Sequence, residues 1–203
     1  MVKKTRSVRV KGGGKMATAV SQHHPLRRLF GALTERSFTE SLGWPDFNVT
    51  AYLSNLLVEF SHVDQLRHIR DQHGQPVETV AELLYESELA TDSPELDRER
   101  TIHRHIGDLT LFIAGLFPEY LRYLKTGGLI YHKDHFVNYV KAGKRSYRIV
   151  AAFQHGERTE PPVLFQKLSS NFELCVTGLG LVRQDLDRMQ HPPHQRAKDI
   201  LLH

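Results

Sequence analysis

Between Leu96 and Tyr120 the chain changes character within one stretch. A charged, histidine-bearing first half, with Glu99, His103, Arg104, His105 and Asp108, runs into the nearly unbroken apolar string LTLFIAGLF, residues 109–117. Stepping about 100° per residue from Leu109, Ile102, Ile106, Phe112, Ile113, Leu116 and Phe117 fall in one sector from roughly −60° to +80°. That pattern predicts a helix whose wide apolar face meets a core. His105 falls inside the sector at about −40°, so one imidazole is expected to point inward.

Elsewhere apolar residues also recur at three and four. Pro25 suits a first turn before Leu26, Leu29, Phe30 and Leu33, up to a break at Gly43, Trp44 and Pro45. Asp46 or Asn48 is placed to cap a helix with Val49, Tyr52, Leu53, Leu56, Leu57, Phe60 and Val63 along one side. A turn at His73 to Pro76 precedes a short helix from Val77 to Leu89, and Asp92 or Ser93 caps the central helix with Pro94 in its first turn. Pro118 should kink or stop that helix. After Gly127 and Gly128, a helix is predicted from near Lys133 or Asp134 to Phe153. A loop follows from Gly156 to Pro162, and a long helix from Val163 to Met189. No 20–50-residue repeat and no alternating strand pattern is present. The expected fold is all-α, an irregular helical bundle of roughly six or seven helices with a flexible basic N-terminal arm.

The net charge of +4 is concentrated at one end. Lys3, Lys4, Arg6, Arg9, Lys11 and Lys15 lie in the first 20 residues with no acid among them, and the remainder has 21 basic against 23 acidic residues. Residues 1–20, with three consecutive glycines, read as an arm, residues 21–189 as one helical domain and residues 190–203 as a frayed tail. Met16 offers a second start, from which the arm would be absent. A single cysteine, Cys175, rules out an intrachain disulfide and a multi-cysteine zinc site, and fits a reducing, cytoplasmic setting. No signal-peptide core is seen, and the longest apolar run is about half a membrane span, so no membrane association is expected.

The strings HRHIGDLTLFIAGLFPE (103–119), GKRSY (143–147) and FELCVTGLGLVR (172–183) resemble a group of uncharacterised bacterial helical proteins with no assigned function. The resemblance spans roughly residues 24–188, outside the arm, and implies no activity, cofactor or catalytic residue.

Chemistry-bearing residues concentrate on the central helix. Glu99 and His103 are i,i+4 neighbours at about +80° and +120°, while Asp108 stands near −100°, one turn from His105. An aspartate three residues on can hold an imidazole and fix its tautomer, although Asp108 can equally pair with Arg104. Lys144 falls on the inner face of its helix at about +40°. Either its head snorkels to water or a carboxylate reaches it, with Asp64 or Glu99 as the candidates. The pairing reading would bring His105, Asp108, Lys144, Asp64 and Glu99 into one polar cluster able to hold a small ligand. Glu59 and His62 have Glu-x-x-His spacing, but His62 points away from the core and no second copy exists. Glu173 is expected in solvent, Cys175 as a buried apolar residue, and Gly107, Gly115, Gly178 and Gly180 at close helix crossings.

Three functions follow in order. The first is a binding or scaffolding domain with a protein partner or a small ligand. The second is a non-haem enzyme with a divalent metal held by His105, His103, Glu99, Asp108 and Glu59. The third is nucleic-acid association through the arm lysines and arginines. Oligomeric state is left open.

Overall fold

The computed structural model describes residues 25–71, 73–91, 96–126, 131–153, 160–192 and 194–195, with backbone alone at 63, 91 and 96. The basic arm, Asp92, Ser93 and Pro94, the Gly127 and Gly128 break, and the loop from Gly156 as far as residue 159 lie outside the described residues.

Among the described residues the chain is an all-α bundle of nine helices with an isolated bridge between Arg70 and Pro76. In order they are α1 (Pro25–Glu35), running into a π-helical turn (Arg36–Ser41), α2 (Phe47–Phe60), α3 (Val63–Leu66), α4 (Val80–Thr91) and α5 (Leu96–Leu116). Then come α6 (Pro118–Thr126), α7 (Tyr139–Ala152), α8 (Pro162–Ser170) and α9 (Phe172–Arg188). None of them is long and apolar enough to cross a membrane.

Helix α5 is the axis of the bundle. Helices α4, α7 and α9 pack along it, and α2 and α6 also touch it. From Ile102 to Phe117 every residue is buried except Arg104, which is half-buried. An angular sector of apolar residues implies one wet face opposite it. A helix enclosed on several sides has none over this span, so His103 and Asp108, predicted outside the apolar sector, are buried as well.

Local chemistry explains where the helices start and stop. Asp46 caps α2, its Oδ1 accepting from the backbone N–H groups of Asn48 at 3.1 Å and Val49 at 3.2 Å. Pro118 ends α5 as expected, and the chain restarts at once as α6. The helix predicted from Val163 to Met189 is two helices. Asn171 leaves helical geometry at φ −113° and ψ 30°, and its side-chain amide donates to the Lys167 carbonyl at 3.0 Å. Helix α4 begins later than predicted because Thr79 and Glu82 form a capping box: Oε2 of Glu82 accepts from the Thr79 N–H at 3.1 Å and the Glu82 N–H reaches Oγ1 of Thr79 at 3.2 Å.

Helix α7 also starts later, at Tyr139 with Asn138 as its cap. Asp134, expected near its start, instead caps α4 from a distance. Its carboxylate accepts from the N–H groups of Val80 at 3.1 Å and Ala81 at 2.7 Å, and from the Tyr139 hydroxyl at 2.8 Å. Of the predicted frayed end the structure describes residues 190–192 and 194–195, of which Gln190 and Pro192 are exposed and His191 and Gln195 half-buried. His194 is buried and stacks on Phe117 at 5.4 Å, and the His191 ring meets Phe30 edge-on at 6.1 Å.

Of the four helix glycines expected at close crossings, three mark them. A Cβ on Gly107 would lie 2.5 Å from the Tyr147 ring, one on Gly115 would lie 2.5 Å from Leu179, and one on Gly178 would run into the Phe38 ring. A Cβ on Gly180 would meet only ordinary contact, with the Gly115 carbonyl oxygen at 4.0 Å.

Candidate functional site

Helix α2 carries Asn48, Tyr52, Asn55 and Glu59 at spacings of three and four, which puts them on one stripe. Opposite that stripe stand Arg104 and Asp108 of α5, and the third wall is the entry to α8, with Glu160, Pro161 and Leu164. The space between is an open cleft of about 220 Å³.

Asp108 lies at its polar centre. The hydroxyl of Tyr52 on α2 donates to Oδ1 at 2.6 Å and the hydroxyl of Tyr147 on α7 donates to the same oxygen at 2.8 Å. Oδ2 faces Nε of Arg104 at 3.6 Å, too long for a hydrogen bond. The Arg104 guanidinium reaches Oε1 of Glu160 at 3.0 Å and lies 5.7 Å from the centre of the Tyr52 ring. Burial pushes the Asp108 carboxyl up to about 6, against the opposing pull of Arg104 and the two tyrosine hydroxyls, and the Glu59 carboxylate adds to the rise. The carboxyl therefore changes charge within ordinary working pH, and one of its oxygens has no hydrogen bond.

The five residues expected to form one polar cluster do not come together. Lys144 pairs with Glu173 on α9, at 2.8 and 3.0 Å, and not with Asp64 or Glu99. Glu173 is exposed, as its position on α9 implied, yet it is the partner that was missed. Asp64 is exposed because α2 ends at Phe60 and His62 turns extended, so the helical register that placed Asp64 on an apolar side is lost.

His105 is buried as predicted but does not touch Asp108. Its Nε2 lies 3.3 Å from the Leu66 carbonyl, and since a carbonyl only accepts, Nε2 carries the proton. Nδ1 has no partner, and the ring stands edge-on to Phe60 at 5.9 Å and His68 at 4.3 Å. Burial, with His68 beside it, pulls its pKa down to about 3, so the ring is neutral.

His103 forms a third arrangement. Its Nδ1 is 3.2 Å from Oγ of Ser146, and its Nε2 is 3.9 Å from Oε1 of Glu99. The order serine, histidine, acid has the outline of a hydrolytic triad. Ser146, however, is 0% exposed, inside the α5 and α7 contact, where no substrate carbonyl can approach. Burial and the neighbouring Arg145 pull His103 down to about 4, and the group is one buried hydrogen bond between two helices, with Glu99 beyond hydrogen-bond reach.

The proposed metal ligands are dispersed accordingly. His103 turns to Ser146, His105 to Leu66, Asp108 to two tyrosines, and Glu59 is exposed on α2. Among the described residues no group of three or more His, Cys, Asp or Glu side chains is placed to hold a metal ion. The donor set does not fit the metal enzyme that the residue types suggested.

Of the expected site residues, the cleft keeps Asp108 and Glu59. It adds Tyr52, Arg104, Glu160, Asn48 and Asn55. One signal pointed there: Tyr52 and Tyr147 lie on apolar helix faces, and a buried tyrosine hydroxyl needs a partner. No protein-family model, curated protein or solved structure matches the chain.

Proposed function

We propose that this chain is a small-molecule-binding helical domain whose ligand enters the cleft over Asp108. The observation that carries this reading is the state of that carboxyl. It is 6% exposed, one oxygen is held by tyrosines from two helices, and the residue borders a concave opening. A purely structural aspartate would account for the tyrosines. It would not call for a cleft lined by the amides of α2 on one side and the entry of α8 on the other. Buried titratable groups with displaced pKa values, in a concavity with a few convergent polar side chains, are a recurrent mark of binding sites.

The arrangement binds and orients; its chemistry is acceptance and donation of hydrogen bonds at Asp108. We place the domain in a reducing, cytoplasmic setting. That accords with Cys175 as a fully buried thiol pushed up to about 12 by burial, a form that does not react.

The test is a set of small polar fragments titrated into protein carrying ¹³C-labelled tyrosine. Fragments that bind are expected to move the Tyr52 ring signals and leave Tyr131, which is 94% exposed, where it is. Binding that never moves Tyr52, or no binding at all, would count against the reading.

A further inference from the structure

We propose that the ligand of this cleft is a small organic cation, an ammonium or amidinium group on a body about the size of one aromatic ring, held by Glu59 and Asp108. The inference rests on the cleft being a ligand site and names what that site selects.

Charge is the first argument. Three carboxylates, those of Glu59, Asp108 and Glu160, line the space against one guanidinium, that of Arg104. Arg104 is already engaged by Glu160 at 3.0 Å and faces Asp108 at 3.6 Å. An anion entering the cleft would meet a guanidinium already engaged by Glu160, and beside it the carboxylates of Glu59 and Asp108. A cation meets Glu59, which has no ion-pair partner among the described residues, and Oδ2 of Asp108, the oxygen left over by the tyrosines.

Burial is the second argument. The Asp108 side chain is 8% exposed, and an acceptor oxygen with little water and no hydrogen bond gains from an N–H donor that brings charge with it. Its partner is a guanidinium at ion-pair distance, so its hydrogen bonding is incomplete.

Shape decides which kind of cation. Among the described residues the carboxylates are not grouped to coordinate a metal ion, and Arg104 stands among them. An organic donor needs only directional N–H bonds and an apolar rest. Ala51, Leu56, Pro161 and Leu164 supply the apolar walls, while the Asn48 and Asn55 amides supply neutral polar contacts. A cavity of about 150 Å³ takes one benzene ring, so 220 Å³ takes a ring with a short charged arm.

The experiment is calorimetric titration at pH 7.5 with three probes of equal size, benzylammonium, benzyl alcohol and benzoate, each repeated while observing Tyr52 by NMR. Benzylammonium should bind at least about tenfold more tightly than either other probe and move the Tyr52 signals. Glu59→Gln, on an exposed side chain, should weaken benzylammonium by about tenfold more than it weakens benzyl alcohol. Benzyl alcohol or benzoate moving Tyr52 as strongly as benzylammonium would overturn the cation assignment while the cleft stands. Insensitivity to Glu59→Gln would do the same. If no probe and no fragment of the wider set moves Tyr52, both the assignment and the cleft reading fall.

Discussion

The hydroxyl of Tyr147 on α7 donates a 2.8 Å hydrogen bond to the same Asp108 oxygen that Tyr52 on α2 holds at 2.6 Å. Two helices that flank α5 are thus tied to it through one atom. The bond is possible because α5 carries glycine at 107, one residue before Asp108, where any Cβ would press into the Tyr147 ring. The apolar packing of α5 against α7 and the polar centre of the cleft are one construction.

Replacing Asp108 separates the roles of its two oxygens. Asp108→Asn keeps an acceptor for both tyrosines and removes a buried charge, so at pH 7 it should stay within about 1 kcal/mol of the parent. Asp108→Ala leaves two buried hydroxyls without their acceptor and should lose about 2–3 kcal/mol in denaturant unfolding. Equal losses in the two variants would show that the tyrosine bonds contribute little.

Acid sensitivity should come from the two buried histidines. His103 and His105 are pulled down to about 4 and about 3 by burial, with Arg145 and His68 beside them, against about 6.5 in an unfolded chain. Between those values the unfolded state binds the extra protons, so stability is full above pH 6.5 and is lost as the pH falls. His105→Leu should flatten the fall by up to ~1.4 kcal/mol per pH unit between 6 and 4, and change stability at pH 7.5 by less than about 1 kcal/mol. Urea midpoints across that range provide the check, and an unchanged slope would contradict it.

Much of the bundle was legible because capping and punctuation are local. Asp46, Pro25 and Pro118 act where they stand in the sequence. What was not legible depends on neighbours distant in the chain. Angular sectors assume one wet face and one dry one, and α5 breaks that assumption, so His103 and Asp108 were placed outside the core they occupy. For Lys144 the sequence left open a head in water or a carboxylate partner, and Glu173 was set aside because it faces away from its own apolar stripe. Across adjoining helices the partly exposed lysine and that glutamate meet at the rim. The cleft was half visible, in Asp108 and in the Arg104 pairing weighed for it. Its other wall, Glu160, comes from a loop whose course no periodicity describes.

The helix glycines divide into two kinds. Gly107→Ala forces a methyl against the Tyr147 ring and should lose about 1–3 kcal/mol, as overpacking does. Gly180→Ala, on the same scale of change, has room and should gain about 0.5–1 kcal/mol from helix propensity. Thermal unfolding of the pair gives the comparison directly, and a stable Gly107→Ala protein would mean the Tyr147 ring is free to move aside.

Asp134 tests the remote cap. Because its carboxylate serves the first turn of α4 and the Tyr139 hydroxyl together, Asp134→Ala should lose about 2 kcal/mol and speed amide exchange in the first turn of α4 more than elsewhere. Uniform exchange across α4 would assign the capping to Thr79 and Glu82 alone.

The most direct single measurement is the ionisation of Asp108 itself, read from its side-chain ¹³C carboxyl signal and assigned by its absence in Asp108→Asn. The folded value is raised to about 6 by burial, against about 3.9 unfolded. Between these values the folded chain holds the proton that the unfolded chain releases. The stability this group contributes is therefore complete below pH 4 and lost as the pH rises through 6. A single midpoint near 6 is the result this account predicts. A midpoint at or below 4 would mark Asp108 as an ordinary ion-paired carboxylate and remove the ground for treating the cleft around it as a binding site.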